Sequence, residues 1–337
     1  MKNFLPRFPS LFVSLLVAAG SCTSALADTT LLNASYDVAR DFYKDYNPLF
    51  AKYWQAKAGE KIEIKQSHGG SSKQVRAVAD GLEADVVTMN QATDVEFLAD
   101  KGLVAKDYAK KFPNNASPYT STMVFIVRKG NPKALKDWSD LARTGVEVIL
   151  PHPKNTGNGR YSYLAAWGYA LKQPGGNDKS AHEFVGKIIK NAPLFAAGGR
   201  DATTSFMQRR LGDVLVTFES EAELIAKEFG RGEFEVVYPS LSIQAEFPVA
   251  VVEKVVDKKG SRKQAQAYLE HLWSKEGQEN AAQNYLRPRD LELLKKYAAQ
   301  FPSLKTFTVD ELFGGWTKAA KAHFVDGGSF DQLYVQK

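Results

Sequence analysis

The stretch Val148 to Lys172, VILPHPKNTGNGRYSYLAAWGYALK, restricts the fold of this 337-residue chain more than any other. Val148, Ile149 and Leu150 are an apolar run closed by Pro151 and Pro153, and Tyr161, Leu164, Ala165, Trp167 and Gly168 recur at helical spacing. Thr156, Gly157, Asn158 and Gly159 lie between the predicted strand and helix. The first turn of a helix has backbone N–H groups without acceptors, and glycine lets that backbone approach a ligand with no Cβ in the way. The free N–H groups and the positive end of the helix dipole point the same way, so such a turn can seat an anion.

One such turn is equally consistent with a simple chain reversal, and recurrence is what gives it weight. IEIKQSHGGSSKQVRAVADGL places His68, Gly69, Gly70 and Ser71 between a strand and a helix carrying Val75, Val78, Ala79 and Leu82. LFAAGGRDATTSFMQRRLGDVLV places Gly198, Gly199 and Arg200 before a helix through Phe206 and Leu211, and LLNASYDVARDFY turns at Ser35, Tyr36 and Asp37. Four turns aimed at one point would make a pocket of neutral donors. Strand-like runs such as LLNAS, IEIK, DVVTM and STMVFIV alternate with amphipathic helices. That alternation predicts parallel α/β units, whose ligands sit beyond the C-terminal ends of the strands.

Residues 1–27 carry Lys2 and Arg7, then LFVSLLVAAG, then Ala25, Leu26 and Ala27, the layout of a cleaved secretory signal with the mature chain beginning near Asp28. Cleavage before Cys22 as a lipoprotein is the weaker reading, because Ala19 stands where leucine is usual. Cys22 is the only cysteine, so a mature chain cut after Ala27 has no thiol or disulfide. Removing the signal leaves 42 Lys plus Arg against 38 Asp plus Glu in mixed-sign clusters, without the dense basic stripe of a nucleic-acid binder. An exported soluble chain of this length can build two lobes, with crossings expected near Ser117 and Phe247. The boundaries read from these crossings are 28–117 plus 247–337 for the first lobe and 118–246 for the second.

LLNASYDVARDFY, KQSHGGSSKQ, ADVVTMNQATDV, SPYTSTMVFIVRKGNPK, PHPKNTGNGRYSYLAAWGYA, GGRDATTSF, GDVLVTFESE, AEFPVAVV, YLRPRD and FGGWTKAAKAHF follow one another along the chain. Together they resemble the periplasmic sulfate- and thiosulfate-binding proteins of ABC importers over essentially the whole mature chain. The resemblance implies an α/β, two-lobe type II periplasmic binding protein fold with a hinge and an inter-lobe anion cleft. It also implies a monomeric periplasmic protein, without cofactor or catalysis, that delivers sulfate or thiosulfate to an inner-membrane ABC permease. By position, it places anion contacts on Ser71, Thr156, Gly157, Asn158 and Gly199, with supporting roles for Asp37, Asp94, Arg160 and Arg200. Thr156 stands where serine is usual, keeping a hydroxyl donor, and Asn158 where glycine is usual, keeping the N–H. Phe218 stands where the sulfate branch has a donating tryptophan; FESE, YDV, NQATDV and AEFPVA are similar to the thiosulfate branch.

A donors-only pocket discriminates, because hydrogen phosphate brings an O–H that would need an acceptor, at a cost of about 1–3 kcal/mol if unmatched. Rival readings are a binder of another tetrahedral oxyanion such as molybdate, or an exported oxyanion-ester hydrolase. The hydrolase lacks a cysteine nucleophile, a G-x-S-x-G turn and any histidine at i, i+4 from a second ligand type, so a metal site is not expected. Asp37 and Asp94 fall at helix starts, where capping is commoner than acid/base work, and Glu219 and Glu221 read as a solvated face. Trp138, Trp167 and Trp316 read as packing residues.

Overall fold

A computed structural model describes Met1, residues 29–230 and residues 232–334. Apart from Met1, the expected signal segment and Cys22 lie outside the described residues. Two sheets organise the chain, a mainly parallel one of four strands and a mixed one of eight. In the first, β1 (Thr29–Tyr36) lies between β2 (Ile62–Gly69) and β3 (Val86–Thr88), parallel to both, so that Ser35 is level with His68 on one side and Thr88 on the other. Such a central strand is covered on both faces, and Leu31 and Asn33 to Tyr36 are all buried. The helix Arg40–Ala58 buries Phe42, Tyr43, Tyr46, Phe50 and Trp54, a stripe at spacings of three and four that packs on this sheet. It stops at Gly59, whose φ of 72° suits a residue without Cβ.

The second sheet is built on β4 (Tyr119–Arg128), buried from Tyr119 to Val127. Beside it run β7 (Val214–Phe218), β5 (Val148–Pro151) and β6 (Phe195–Ala196), the last three mutually parallel in the order given. On the other side of β4 lie β8 (Phe234–Val237) and β9 (Ser242–Glu246), both antiparallel to it. β10 (Val249–Val251) then returns to the first sheet, antiparallel to β3.

The crossing near Ser117 follows Asn114, Asn115 and Ala116, three residues with φ of 56°, 55° and 56°. Asparagine tolerates this left-handed region better than other residues that carry a Cβ. Arg289 ties the two crossings together, donating from Nε to the Ser117 carbonyl at 3.0 Å and pairing through Nη2 with Glu246 at 3.0 Å. β11 (Arg287–Pro288) pairs with the start of β4 beside them.

The C-terminal tail departs from the expected assignment of all of 247–337 to the first lobe. β12 (Thr306–Phe307) pairs with β9, in the second sheet. Beyond it Trp316 meets the Tyr161 ring at 5.0 Å, His323 meets Trp167 at 4.5 Å and Phe330 meets Phe195 at 5.8 Å. The reason lies in the helix Gly157–Leu171, which is buried almost all round and so needs cover on its outer side as well as against the sheet.

Candidate anion site

Parallel strands bring their C-terminal ends to one edge, and here the two sheets turn those edges toward each other. The turns after β1, β2 and β3 contribute Asp37 and Val38, Gly70 and Ser71, and Asn90 to a small shared cavity. The turns after β5, β6 and β7 contribute Thr156 to Asn158, Gly198 and Gly199, and Phe218. All six sequence-derived contact residues, Ser71, Thr156, Gly157, Asn158, Gly199 and Phe218, are thus brought together, with Asp37.

Gly157, Gly199 and Ser71 each open a helix, where first-turn N–H groups have no intrahelical acceptor. Thr156 is the N-cap of the helix Gly157–Leu171: its Oγ1 accepts from Gly159 N–H at 2.9 Å and donates to the His152 carbonyl at 3.1 Å. Its hydroxyl proton is therefore used within the protein, where the sequence reading kept it for the anion. The Ser71 hydroxyl has the Met89 sulfur, a weak acceptor, at 3.4 Å, and accepts from Asn90 N–H at 3.3 Å. The side-chain N–H of Asn158 donates to Thr217 Oγ1 at 3.0 Å and its Oδ1 accepts from Ser162 at 3.3 Å, so the carboxamide is engaged within the protein, while the backbone N–H belongs to a first helical turn without intrahelical acceptors. Phe218 is fully buried, edge-on to Tyr161 at 5.7 Å and to Phe247 at 5.4 Å.

Ionisable groups surround this cradle rather than line it, Asp37 excepted. Glu221, expected on a solvated face, is buried behind Gly199, accepting from Thr203 Oγ1 at 2.9 Å and from Thr217 Oγ1 at 3.2 Å. Burial, reinforced by the charge of Asp37, pushes its carboxyl up to about 7. Glu219, also expected in solvent, is buried in a two-pronged pair with Arg287 at 2.6 and 2.8 Å, and burial raises its pKa. Both misreadings have one cause: the strand end they follow lies inside the lobe, under the helix Glu219–Phe229 that they begin.

Asp37 accepts the Val38 N–H at 3.0 Å, and burial raises its pKa. Asp94 accepts from Ser72, in the neighbouring helix, at 3.0 Å and makes no cap to its own helix. Its Oδ2 and the Arg160 Nε are buried without a hydrogen-bond partner, on opposite lobes, and each feels the other's charge. Arg160 Nη2 donates to the Lys154 carbonyl at 2.9 Å. Arg200 points outward to Glu228 at 2.9 Å, so it borders the cleft instead of reaching the cavity.

Asn90 was missed. The available signal was a strand, DVVTM, ending in the polar run NQAT before a helix, the same layout as the four turns that were read. Roomier cavities, one of about 480 Å³ beside Tyr108 and Phe112 and one of about 550 Å³ beside Trp167 and His182, lie elsewhere and lack this set of helix starts. Among the described residues no helix is long and apolar enough to cross a membrane, and no three His, Cys, Asp or Glu side chains gather as a metal site.

Residues 36–287 match the family described as bacterial extracellular solute-binding protein. The thiosulfate-binding protein of Pseudomonas aeruginosa is 63% identical over 96% of this chain and 98% of its own length. The sulfate-binding protein of Escherichia coli K12 is 52% identical over 93% of this chain and 95% of its own. Among solved structures, the sulfate-binding protein SubI from Mycobacterium tuberculosis H37Rv superposes with a TM-score of 0.78 at 31% identity, covering 87% of this chain and 98% of that one. Two sheets whose strand ends meet over a cradle of helix starts, and relatives alike from end to end, lead to one statement: this chain belongs to the bacterial extracellular solute-binding proteins, in the group that holds the thiosulfate- and sulfate-binding proteins.

Proposed function

We propose that this protein is the substrate-binding component of a sulfate/thiosulfate ABC importer: it holds one dehydrated dianion between its lobes and hands it to an inner-membrane permease. The observation that carries the reading is the convergence of six strand ends, three from each sheet, on one cavity lined mainly by backbone, hydroxyl and amide groups, with Asp37 its one ionisable residue and no Lys, Arg or His. Neutral dipoles spread over several peptides hold a divalent oxyanion without a counter-ion in contact. Each charge-assisted hydrogen bond contributes about 1.5–3 kcal/mol net, so six or so support micromolar or tighter binding after the cost of association. The names of the relatives agree, and a 74-residue match at 49% identity to a protein named as a sulfate/thiosulfate import ATP-binding protein points to the same transport system.

The contacts assigned are Ser71, Gly157, Asn158 and Gly199, with Thr156 shaping the turn and Phe218 forming an apolar wall. Phe218 favours thiosulfate, since a soft terminal sulfur against an aromatic edge gains about 0.3–1.5 kcal/mol where a sulfate oxygen would lack a donor. The protein works as a monomer in the periplasm, and its lobes close about the segments near Ser117 and Phe247. Calorimetric titration with thiosulfate, sulfate, molybdate and hydrogen phosphate tests the reading. Binding of the first two and rejection of hydrogen phosphate is expected; tighter binding of molybdate than of either would overturn it. Small-angle scattering is expected to show a smaller radius of gyration with thiosulfate present.

A further inference from the structure

The cavity contains one side-chain group that nothing in the protein explains. Asn90 is only 5% exposed, yet its Oδ1 is buried without a hydrogen-bond partner. A buried amide oxygen left unpaired costs about 1–3 kcal/mol, so a carboxamide retained in this state beside a binding cavity asks for a ligand that re-orients it. Its position is specific. Asn90 belongs to the first lobe, and its carboxamide crosses the cleft to lie against Gly157 of the second, where a Cβ would stand 2.1 Å from Oδ1 and 2.8 Å from Nδ2. The neighbouring side chains sharpen the point: the Thr156 hydroxyl is given to His152, the Asn158 amide to Thr217, and Phe218 has no donor. Ser71 and Asn90 are then the two side chains lining the cavity that are able to donate to a bound anion.

Resting on the anion-importer reading above, we propose that Asn90 is a direct anion contact: its side-chain N–H₂ donates to a ligand oxygen from the first lobe. It thereby supplies the side-chain donor that Phe218 withholds from the second lobe. Rotation about χ2 can present either the N–H₂ or the C=O, and a fully ionised anion has only acceptors, so it selects the N–H₂. The arrangement also orients thiosulfate. Its oxygens face Asn90 and the helix starts, and its terminal sulfur faces the Phe218 ring. Because the amide lies across the cleft, the contact forms fully only as the lobes meet, so it links ligand capture to closure.

The test is titration of wild type, Asn90→Ala and Asn90→Asp with thiosulfate, sulfate and hydrogen phosphate, with melting temperature measured without ligand. Asn90→Ala is expected to weaken thiosulfate and sulfate about tenfold, the loss of one such hydrogen bond, while melting within about 2 °C of wild type. Asn90→Asp puts a carboxylate against a dianion and is expected to weaken both about a hundredfold or more, less at low pH. In the Asn90→Ala background, Phe218→Trp should recover sulfate more than thiosulfate. Wild-type affinity for both anions in Asn90→Ala overturns the contact and leaves the importer reading standing. Loss confined to hydrogen phosphate would make Asn90 an acceptor and also overturn it. If wild type binds neither thiosulfate nor sulfate, the importer reading fails and this proposal with it.

Discussion

Gly157 and Gly199 begin two helices of the same lobe, and each is a place where the backbone has to come close to something. What stands beside them differs. A Cβ on Gly157 would run into the carboxamide of Asn90, which belongs to the opposite lobe. A Cβ on Gly199 would lie 2.9 Å from Glu221 Oε2 and 3.3 Å from Asn158 Nδ2, both in its own lobe. Neither glycine has the positive φ that would itself demand the residue. The same residue type therefore answers two needs: one glycine lets two lobes meet, and the other lets one lobe pack around a buried polar chain running from Thr203 through Glu221 and Thr217 to Asn158.

Gly157→Ala should show the largest effect, and on binding alone. The added methyl obstructs the closed cleft but touches nothing the open lobe needs, so thiosulfate affinity should fall about a hundredfold or more with the unliganded melting point changed by about 2 °C or less. Calorimetry beside thermal unfolding checks this; a large drop in melting temperature would erase the contrast with Gly199.

For Gly199→Ala the damage is internal. The methyl presses on Glu221 and Asn158 whether or not ligand is present, and overpacking of this kind destabilises by up to about 3 kcal/mol. Urea unfolding without ligand measures it, and a loss equal to that of Gly157→Ala would mean the two sites are alike after all.

Glu221 lets the Gly199 side be examined by pH. Its folded pKa of about 7 lies above the ordinary 4.5, so the native state binds a proton that the unfolded state releases earlier. The stability this contributes is complete below about pH 4.5 and is lost as pH rises through about 7. Between pH 5 and 8 the group should remove about 2 kcal/mol from wild type, and Glu221→Gln should lack that part of the slope. Asp37, Asp94 and Glu219 are raised by burial too, so the informative quantity is the difference between wild type and variant. Parallel stability–pH curves for the two proteins would remove Glu221 from the account.

The smallest effect is expected at Phe218, the wall between the two glycine turns. Phe218→Trp adds a donor at the ring edge but enlarges a fully buried side chain already in contact with Tyr161 and Phe247. The sulfate-to-thiosulfate affinity ratio should rise about fivefold, less than one full hydrogen bond because the ring has to fit. An unchanged ratio in paired titrations would show that the wall does not select between the anions.

The alternation of apolar runs with amphipathic helices, and the glycine-marked turns after Lys65, Pro151 and Ala196, were determined locally, because strand and helix periods and glycine's freedom act within a dozen residues. Hence the α/β class and most of the cavity lining were legible in the sequence. What the tertiary structure alone decided depended on neighbours far along the chain. The helix Gly157–Leu171 needs cover on its outer face, which drew residues 306–334 to the second sheet. Glu219 and Glu221 are buried because a strand ends beneath them and Arg287, Thr203 and Thr217 are there to meet them. The Thr156 hydroxyl turns to a carbonyl four residues back, and Asn90 faces Gly157 across 67 positions of sequence. A side chain's period reveals which face it takes, but whether a polar group there finds a partner is settled only when distant elements pack, since burial without a partner is what costs energy.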